Sequence, residues 1–311
     1  MPQPRFVSFF RHLNWRTFKK TIARTIKRRL LGLASEIAFN AMLSLFPAIL
    51  AVLTAIGLLE ESLQNTFKQL AEQVSQVAPE EAMTLIKDFA SQEIAHSKNS
   101  GLFSLSFVIA LWTASGAVST AMTAFDQIHQ IPPEKTRPFW KAKIISLGLT
   151  VGTILLLVLA SFLVFLSDLL LGFVVSGNSS LIFLLYIWKL LRWPLALGIV
   201  ATAFSFIYRY GTSVWKSGTP IIPGAMIAAV FWAILSALFR QYVANFGNYN
   251  KVYGAVGTVI VLMLWLWMSA AVLLIGDQLN VTVGEDIRSK LPKNSAKDVN
   301  FPQEVGRNID S

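Results

Sequence analysis

The sequence predicts an all-α, polytopic membrane helix bundle of about six transmembrane helices, with a small helical hairpin outside. Three observations carry this prediction. Only 14% of the 311 residues are Asp, Glu, Lys or Arg, against 54% hydrophobic, whereas a soluble domain carries about 25% charged residues. Five uncharged runs, Ile37–Leu59, Asn99–Phe125, Ile144–Ser167, Ser217–Phe239 and Val252–Gly276, each reach the roughly 20 residues that a spanning helix needs. The runs are continuous, unlike the alternating segments of about ten residues that build a barrel. Backbone in hydrocarbon must pair internally, so such runs are helices.

In chain order, residues 1–35 hold nine basic residues and no acidic one. Phe6, Phe10 and Leu13, then Phe18, Ile22 and Ile26, recur at helical spacing. This is a basic amphipathic arm, suited to an anionic cytoplasmic leaflet. A nucleic-acid arm is the competing reading, and the apolar face and adjacent anchor argue against it. A basic stretch this long, with no cleavage site after it, also excludes a secretory signal. The spanning domain is assigned to residues 36–283.

Between the first two runs, Glu60–Ser100 has seven acidic and three basic residues. Leu63, Phe67, Leu70, Val74 and Val77 form a helical stripe, and Pro79 suits the start of a second helix. A helical hairpin outside the membrane is expected there. A sixth run, Trp193–Tyr208, reaches spanning length if its helix starts near Leu185, with Lys189 and Arg192 snorkelling to the interface. Around Gly177–Ser180, Leu169–Ser176 and Leu181–Trp188 extend helices three and four; a re-entrant hairpin is the alternative. A disordered cytoplasmic tail is expected over 284–311.

Alternating the loops places 20 Lys and Arg on one side and 7 on the other. The positive-inside rule then puts both termini in the cytoplasm.

Signals for catalysis are weak. Cysteine is absent, which excludes disulfides and thiolate chemistry. His12, His96 and His129 are far apart in sequence, and His129 reads as an exposed loop histidine. No phosphate loop of the Gly-x4-Gly-Lys-Ser/Thr type is present. No metal, cofactor or catalytic residue is assigned, and no nucleic-acid partner is expected.

The ionisable residues are more informative. From Leu169 to Gly276 there is no Asp or Glu, yet Lys189, Arg192, Arg209, Lys216, Arg240 and Lys251 lie there. Charge in a bilayer needs a partner or an interface. Snorkelling is one reading; a basic site for an anionic substrate is the other. Asp168 is a candidate partner for Arg192, and Glu36, Asp126 and Asp277 are candidates for Arg209. Glu36 and Asn40 are one turn apart, Ser44 continues their line, and Pro47 follows. A polar stripe beside a proline can line a cavity or serve interhelical hydrogen bonds. Thr113, Ser115, Gly116, Ser119, Thr120 and Thr123 read as a close-packing face. Asn245, Tyr249 and Asn250, with Gly254 and Gly257, read as a substrate-facing loop before helix six or as a rigid turn with a helix start. Pro194, Pro223 and Gly224 are the remaining candidate kinks or turns.

Several segments together resemble the BrkB/YihY-type family of bacterial inner-membrane proteins. They are Ala38–Pro47, Leu111–Ser115, Arg137–Lys141, Arg192–Pro194, Pro223-Gly224, Tyr242–Gly257 and Gly276–Asn280. The resemblance covers roughly Leu30 to Val283 and implies six helices with both termini inside. It also implies an envelope role, with transport suspected. The family has carried a ribonuclease BN label, but the His-x-His-x-Asp-His cluster of such nucleases is missing here. Family members commonly have paired aromatics in helix one, where this chain has Phe39-Asn40. The resulting expectation is a non-enzymatic envelope protein whose partners are membrane lipids. It binds or moves an anionic amphiphile through Glu36, Asn40, Arg192, Arg209, Arg240, Asn245, Tyr249 and Asn250. The alternatives are a scaffold recruiting envelope protein partners through the outer hairpin, and, least favoured, a membrane enzyme or nuclease.

Overall fold

The computed structural model describes residues 5–58, 100–174, 181–214, 219–245 and 247–289. Among them there is no strand, and eight α-helices are present. Two short ones, α1 (Arg5–His12) and α2 (Trp15–Lys27), form the arm. Six long ones follow: α3 (Leu30–Leu58), α4 (Ser100–Ile128), α5 (Phe139–Val174), α6 (Leu181–Gly211), α7 (Ile222–Asn245) and α8 (Gly247–Ser289). Five of these contain stretches long and apolar enough to cross a membrane: Leu30–Ile49, Leu105–Ile128, Phe139–Ala160, Ile222–Val243 and Val259–Ser289. The remaining long helix, α6, is the one that carries Lys189, Arg192 and Arg209.

Each long helix packs on its neighbour in sequence, and α8 returns to α3, so the six close into a ring. α4 also reaches α6 and α8 across it. The shared core lies towards one end, around Phe125 and Ile128 of α4, Tyr208 of α6, Ala225 of α7, Leu274 of α8 and Leu30 of α3. This is the end where the arm packs on α8, called the arm end below. Elsewhere the outer surface is apolar. Ile144, Leu155 and Val158 of α5, Leu105 and Val108 of α4, and Phe231 and Leu238 of α7 are all exposed. Contiguous apolar surface on this scale needs lipid against it.

The arm is two helices, where the spacing suggested one. The first ends at His12, and Asn14 caps the second, its side chain accepting from the Thr17 N–H at 2.9 Å. α5 runs to Val174 and α6 starts at Leu181, so the described parts of both apolar arms continue helices three and four; residues 175–180 between them lie outside the described residues. Pro47 and Pro194 lie inside α3 and α6. The stretch read as a loop or turn before helix six is helical from Gly247, so Tyr249, Asn250, Gly254 and Gly257 all belong to α8. Glycines three residues apart share a helix face and permit close packing, and Gly257 is buried. The hairpin expected at 60–100 falls almost wholly outside the described residues. The tail boundary shifts, because α8 continues to Ser289; residues 290–311 lie outside the described residues.

Candidate functional site

The arm end is held by side chains that complete other helices' termini. α4 ends at Ile128 with Gln130 in the left-handed region at φ 52°. The Ile131 N–H donates to Asp126 O at 2.9 Å and the Gln130 N–H to Gln127 O at 3.2 Å, a Schellman arrangement. The Ile128 carbonyl is filled by Arg28, whose Nη1 donates to it at 2.6 Å and to Gln278 Oε1 at 2.7 Å. α6 ends similarly. Arg137 donates to the carbonyls of Tyr210, Gly211 and Thr212 at 2.8, 3.1 and 2.7 Å, placing a cation at the negative end of the helix dipole. Burial pushes the Arg137 guanidinium below its ordinary value, against the opposing pull of Asp126. Asp126 itself accepts from Ser213, from the N–H at 2.7 Å and the Oγ at 2.6 Å.

The start of α7 is capped from another helix. The first amides of a helix lack partners within it. Pro223 has no N–H to satisfy, and the Gly224 N–H donates to Asn280 Oδ1 at 3.0 Å. Asn280 Nδ2 donates back to Ile221 O at 3.1 Å. A side chain on Gly224 would occupy the place of the Asn280 amide. The next contact is equally close: a Cβ on Gly276 would lie 2.6 Å from Ala228 Cβ. There α6, α7 and α8 meet, and Tyr208 Oη donates to Leu273 O at 2.7 Å.

At the centre, His129 Nε2 lies 3.1 Å from Asp277 Oδ2, and both residues are essentially inaccessible. The reading of His129 as an exposed loop histidine is therefore corrected. The Schellman turn folds the chain back after Ile128, so the ring enters the core instead of solvent. Asp126 accepts from Ser213 and Asp277 lies against His129.

The other candidates are dispersed. Glu36 is exposed. Asn40 Nδ2 donates to Glu36 O at 3.0 Å and Thr120 Oγ1 at 3.2 Å, against Gly116 of α4. Ser44 is buried and donates to Ala41 O at 2.6 Å. This arrangement is interhelical packing on α4's small-residue face. Arg209 is exposed in the last turn of α6, and Arg240 is exposed near the far end of α7. The side chains of Arg192, Asn245, Tyr249 and Asn250, and the pairing of Arg192 with Asp168, lie outside the described residues. A groove of about 400 Å³ opens between α3 and α8, lined by Ser35, Ala38, Ile260, Met263, Leu264 and Trp267. None of the candidate residues lines it. Among the described residues, no group of three or more His, Asp or Glu is placed to hold a metal ion.

The sequence reading missed Arg28, His129, Asp277, Gln278 and Asn280 as a set. One signal was available: Asp277 and Asn280 sit at i and i+3 directly after an apolar run, a polar edge on a helix that has just left hydrocarbon.

A family model described as virulence factor BrkB matches residues 21–300. The chain belongs to the BrkB family. Among BrkB-family relatives, YfkH of Bacillus subtilis, described as ribonuclease-like, is 30% identical, over 83% of this chain and 91% of its own. A UPF0761 membrane protein of Photobacterium profundum is 26% identical, over 86% of this chain and 82% of its own. One from Tolumonas auensis is 32% identical over 31% of each chain. No solved structure matches. Family and apolar helices together make this a multi-pass integral membrane protein.

Proposed function

We propose that this BrkB-family protein is a component of the bacterial inner membrane, with both termini cytoplasmic, that binds and moves an anionic envelope lipid. The observation that carries the reading is the groove between α3 and α8. Its volume of about 400 Å³ is in the usual range for small-molecule sites, about 300–1,000 Å³. Its lining is apolar apart from Ser35, and it opens sideways on a lipid-facing surface, as an acyl chain requires. Trp267 both lines it and donates to Leu31 O at 3.2 Å, fixing one wall to the other. Charge supports an anionic headgroup, because no acidic residue lies between Leu169 and Gly276 while six basic ones do. Arg192 and Arg240 serve the headgroup on the outer side and Arg209 on the inner side. Asn245, Tyr249 and Asn250 lie near Arg240 in sequence, and Glu36 and Asn40 near Ser35 and Ala38 of the groove.

The test is transfer of a fluorescent anionic lipid between leaflets of reconstituted liposomes. Ala38→Trp, which fills the groove, and the double change Arg192→Gln with Arg240→Gln are each expected to abolish transfer in folded protein. Wild-type transfer in both variants overturns the reading.

The acidic balance of residues 60–100 favours a second reading, a scaffold that recruits envelope proteins there without transport. Under it, the groove variant keeps function and deletion of that segment loses it. The ribonuclease-like description belongs to the Bacillus relative. A non-enzymatic reading is preferred here, since the sequence lacks a nuclease histidine cluster and His129 is committed to Asp277.

A further inference from the structure

The arm has its polarity arranged unusually for a helix packed on a protein. The residues of α2 that are buried are threonines: Thr17, Thr21 and Thr25. The residues left outside are Trp15, Phe18, Ile22 and Ile26, and Trp15 and Ile26 are each 68% exposed. A helix docking by the hydrophobic effect buries the opposite set. α2 is held by polar contacts instead. Lys20 Nζ lies 2.8 Å from Asp286 Oδ1, Arg24 Nη2 lies 2.6 Å from Glu285 Oε2, and Thr17 Oγ1 donates to Asp286 Oδ2 at 3.2 Å. Both partners, Glu285 and Asp286, are on the last turns of α8, and Arg28 adds its bond to Gln278 of the same helix. α1 is anchored by an apolar cluster in which Phe9 meets Leu279 and Val283 of α8, with Leu13, Ile227 and Ile287 packed against them, while Phe10 stays exposed.

The angular arrangement follows from a helix advancing about 100° per residue. The apolar stripe lies roughly 100° round α2 from the threonine edge, and Lys19, Arg16 and Lys27 continue beyond it, round to the Lys20 and Arg24 edge that grips α8. Thus α2 has one edge locked on the protein, an adjacent apolar edge, and a basic edge flanking that. Trp15 and Phe18 stack with centroids 5.6 Å apart, and Lys19 Nζ lies 5.6 Å from the Trp15 ring. A two-residue corner, Arg28-Arg29, with Arg29 at φ 53°, leads directly into α3. The stripe therefore starts where the chain enters the membrane-spanning bundle.

We infer that the apolar edge of α2, with Phe10 of α1, inserts into the surface of an anionic bilayer leaflet, in an orientation fixed by the clamp on α8. The charge complement argues for an anionic lipid surface over a protein: nine basic residues and no acidic one precede Glu36. Aromatic and aliphatic side chains enter the headgroup boundary while Arg11, Arg16, Lys19 and Lys27 reach the phosphates, as interfacial helices do. This adds an orienting contact to the lipid site proposed above and does not depend on it.

The natural chain has no cysteine, so single cysteines can carry a nitroxide in the full-length protein. Phe18→Cys, Ile22→Cys, Lys19→Cys and Thr21→Cys are labelled in nanodiscs of phosphatidylcholine alone or mixed with phosphatidylglycerol. Collision with oxygen, which partitions into lipid, is compared with collision with a water-soluble nickel chelate. In anionic discs, positions 18 and 22 are expected to show an oxygen-to-nickel ratio several-fold above position 19, with the contrast reduced in phosphatidylcholine alone. Position 21 should be low for both reagents, as a site buried in protein. Nickel access at 18 and 22 equal to that at 19 overturns the inference. So does shielding of 18 and 22 from both reagents, which would mean a protein or second copy covers them. Equal insertion in both lipid mixtures overturns its anionic part.

Discussion

At the scale of single residues, the His129–Asp277 pair shows how the arm end is secured. Both side chains are essentially inaccessible and 3.1 Å apart. Removing one partner of a buried pair strands the other's polar atoms, at a cost of about 3–5 kcal/mol. Replacing both by apolar groups of similar volume is frequently close to neutral. Asp277→Leu and His129→Leu are therefore each expected to lower thermal stability in detergent strongly. The double replacement should lose less than the sum of the two, and strictly additive losses would show that the contact contributes no coupling. The residue types were visible in the sequence; their meeting was not. His129 and Asp277 are 148 positions apart, and nothing local indicates that the turn after α4 folds its histidine inward.

At the scale of elements, long apolar runs were legible because hydrocarbon dictates both their length and their helicity. Ends were less legible. Lack of charge marks where lipid stops, but the helices continue past it: α8 runs to Ser289 while its uncharged run ends at Gly276. The Asn- and Gly-rich stretch before helix six left two readings open, and the helix proves to start within it, at Gly247. Local propensity is weak, and packing against neighbouring helices overrides it. The candidate substrate residues were chosen by charge and spacing, which do not report which neighbour a side chain meets. Asn40, for one, donates to Thr120 Oγ1, the interhelical hydrogen bond that was one of its two readings. The cap on α7 was equally invisible, because its capping residue is supplied by α8. Asn280→Ala should free the Gly224 amide and cost about 1 kcal/mol, as loss of a local N-cap does. Hydrogen exchange checks this: protection is expected to fall at the first turn of α7 and to persist at mid-helix. Unchanged exchange at Gly224 would show that the bond from Asn280 is not the one protecting it.

At the scale of the whole molecule, the ring and the charge balance bear on one another. Helices that are neighbours in sequence pack together round a closed ring, and α8 meets α3. The arm, the α4–α5 turn, the α6 terminus and the last turns of α8 are joined by hydrogen bonds at one end, through Arg28, Arg137, Asp126 and Asp286. That gathering requires an even number of crossings between α2 and the end of α8, so α6 must cross too, despite Lys189, Arg192 and Arg209. Alternating the loops along the sequence assigns 20 Lys and Arg to this side against 7 to the other, so the orientation proposed above from the positive-inside rule has this end facing the cytoplasm. The cysteine-free chain allows a direct check with a membrane-impermeant maleimide on spheroplasts. Gln130→Cys, at the α4–α5 turn, and Ser289→Cys, at the end of α8, should both react only after permeabilisation. Lys68→Cys, in the acidic segment, should react in intact spheroplasts. Labelling of 130 and 289 on opposite sides would break the six-crossing ring. Labelling of both from outside would keep the ring and reverse its orientation, leaving the arm's basic edge facing away from the cytoplasmic leaflet.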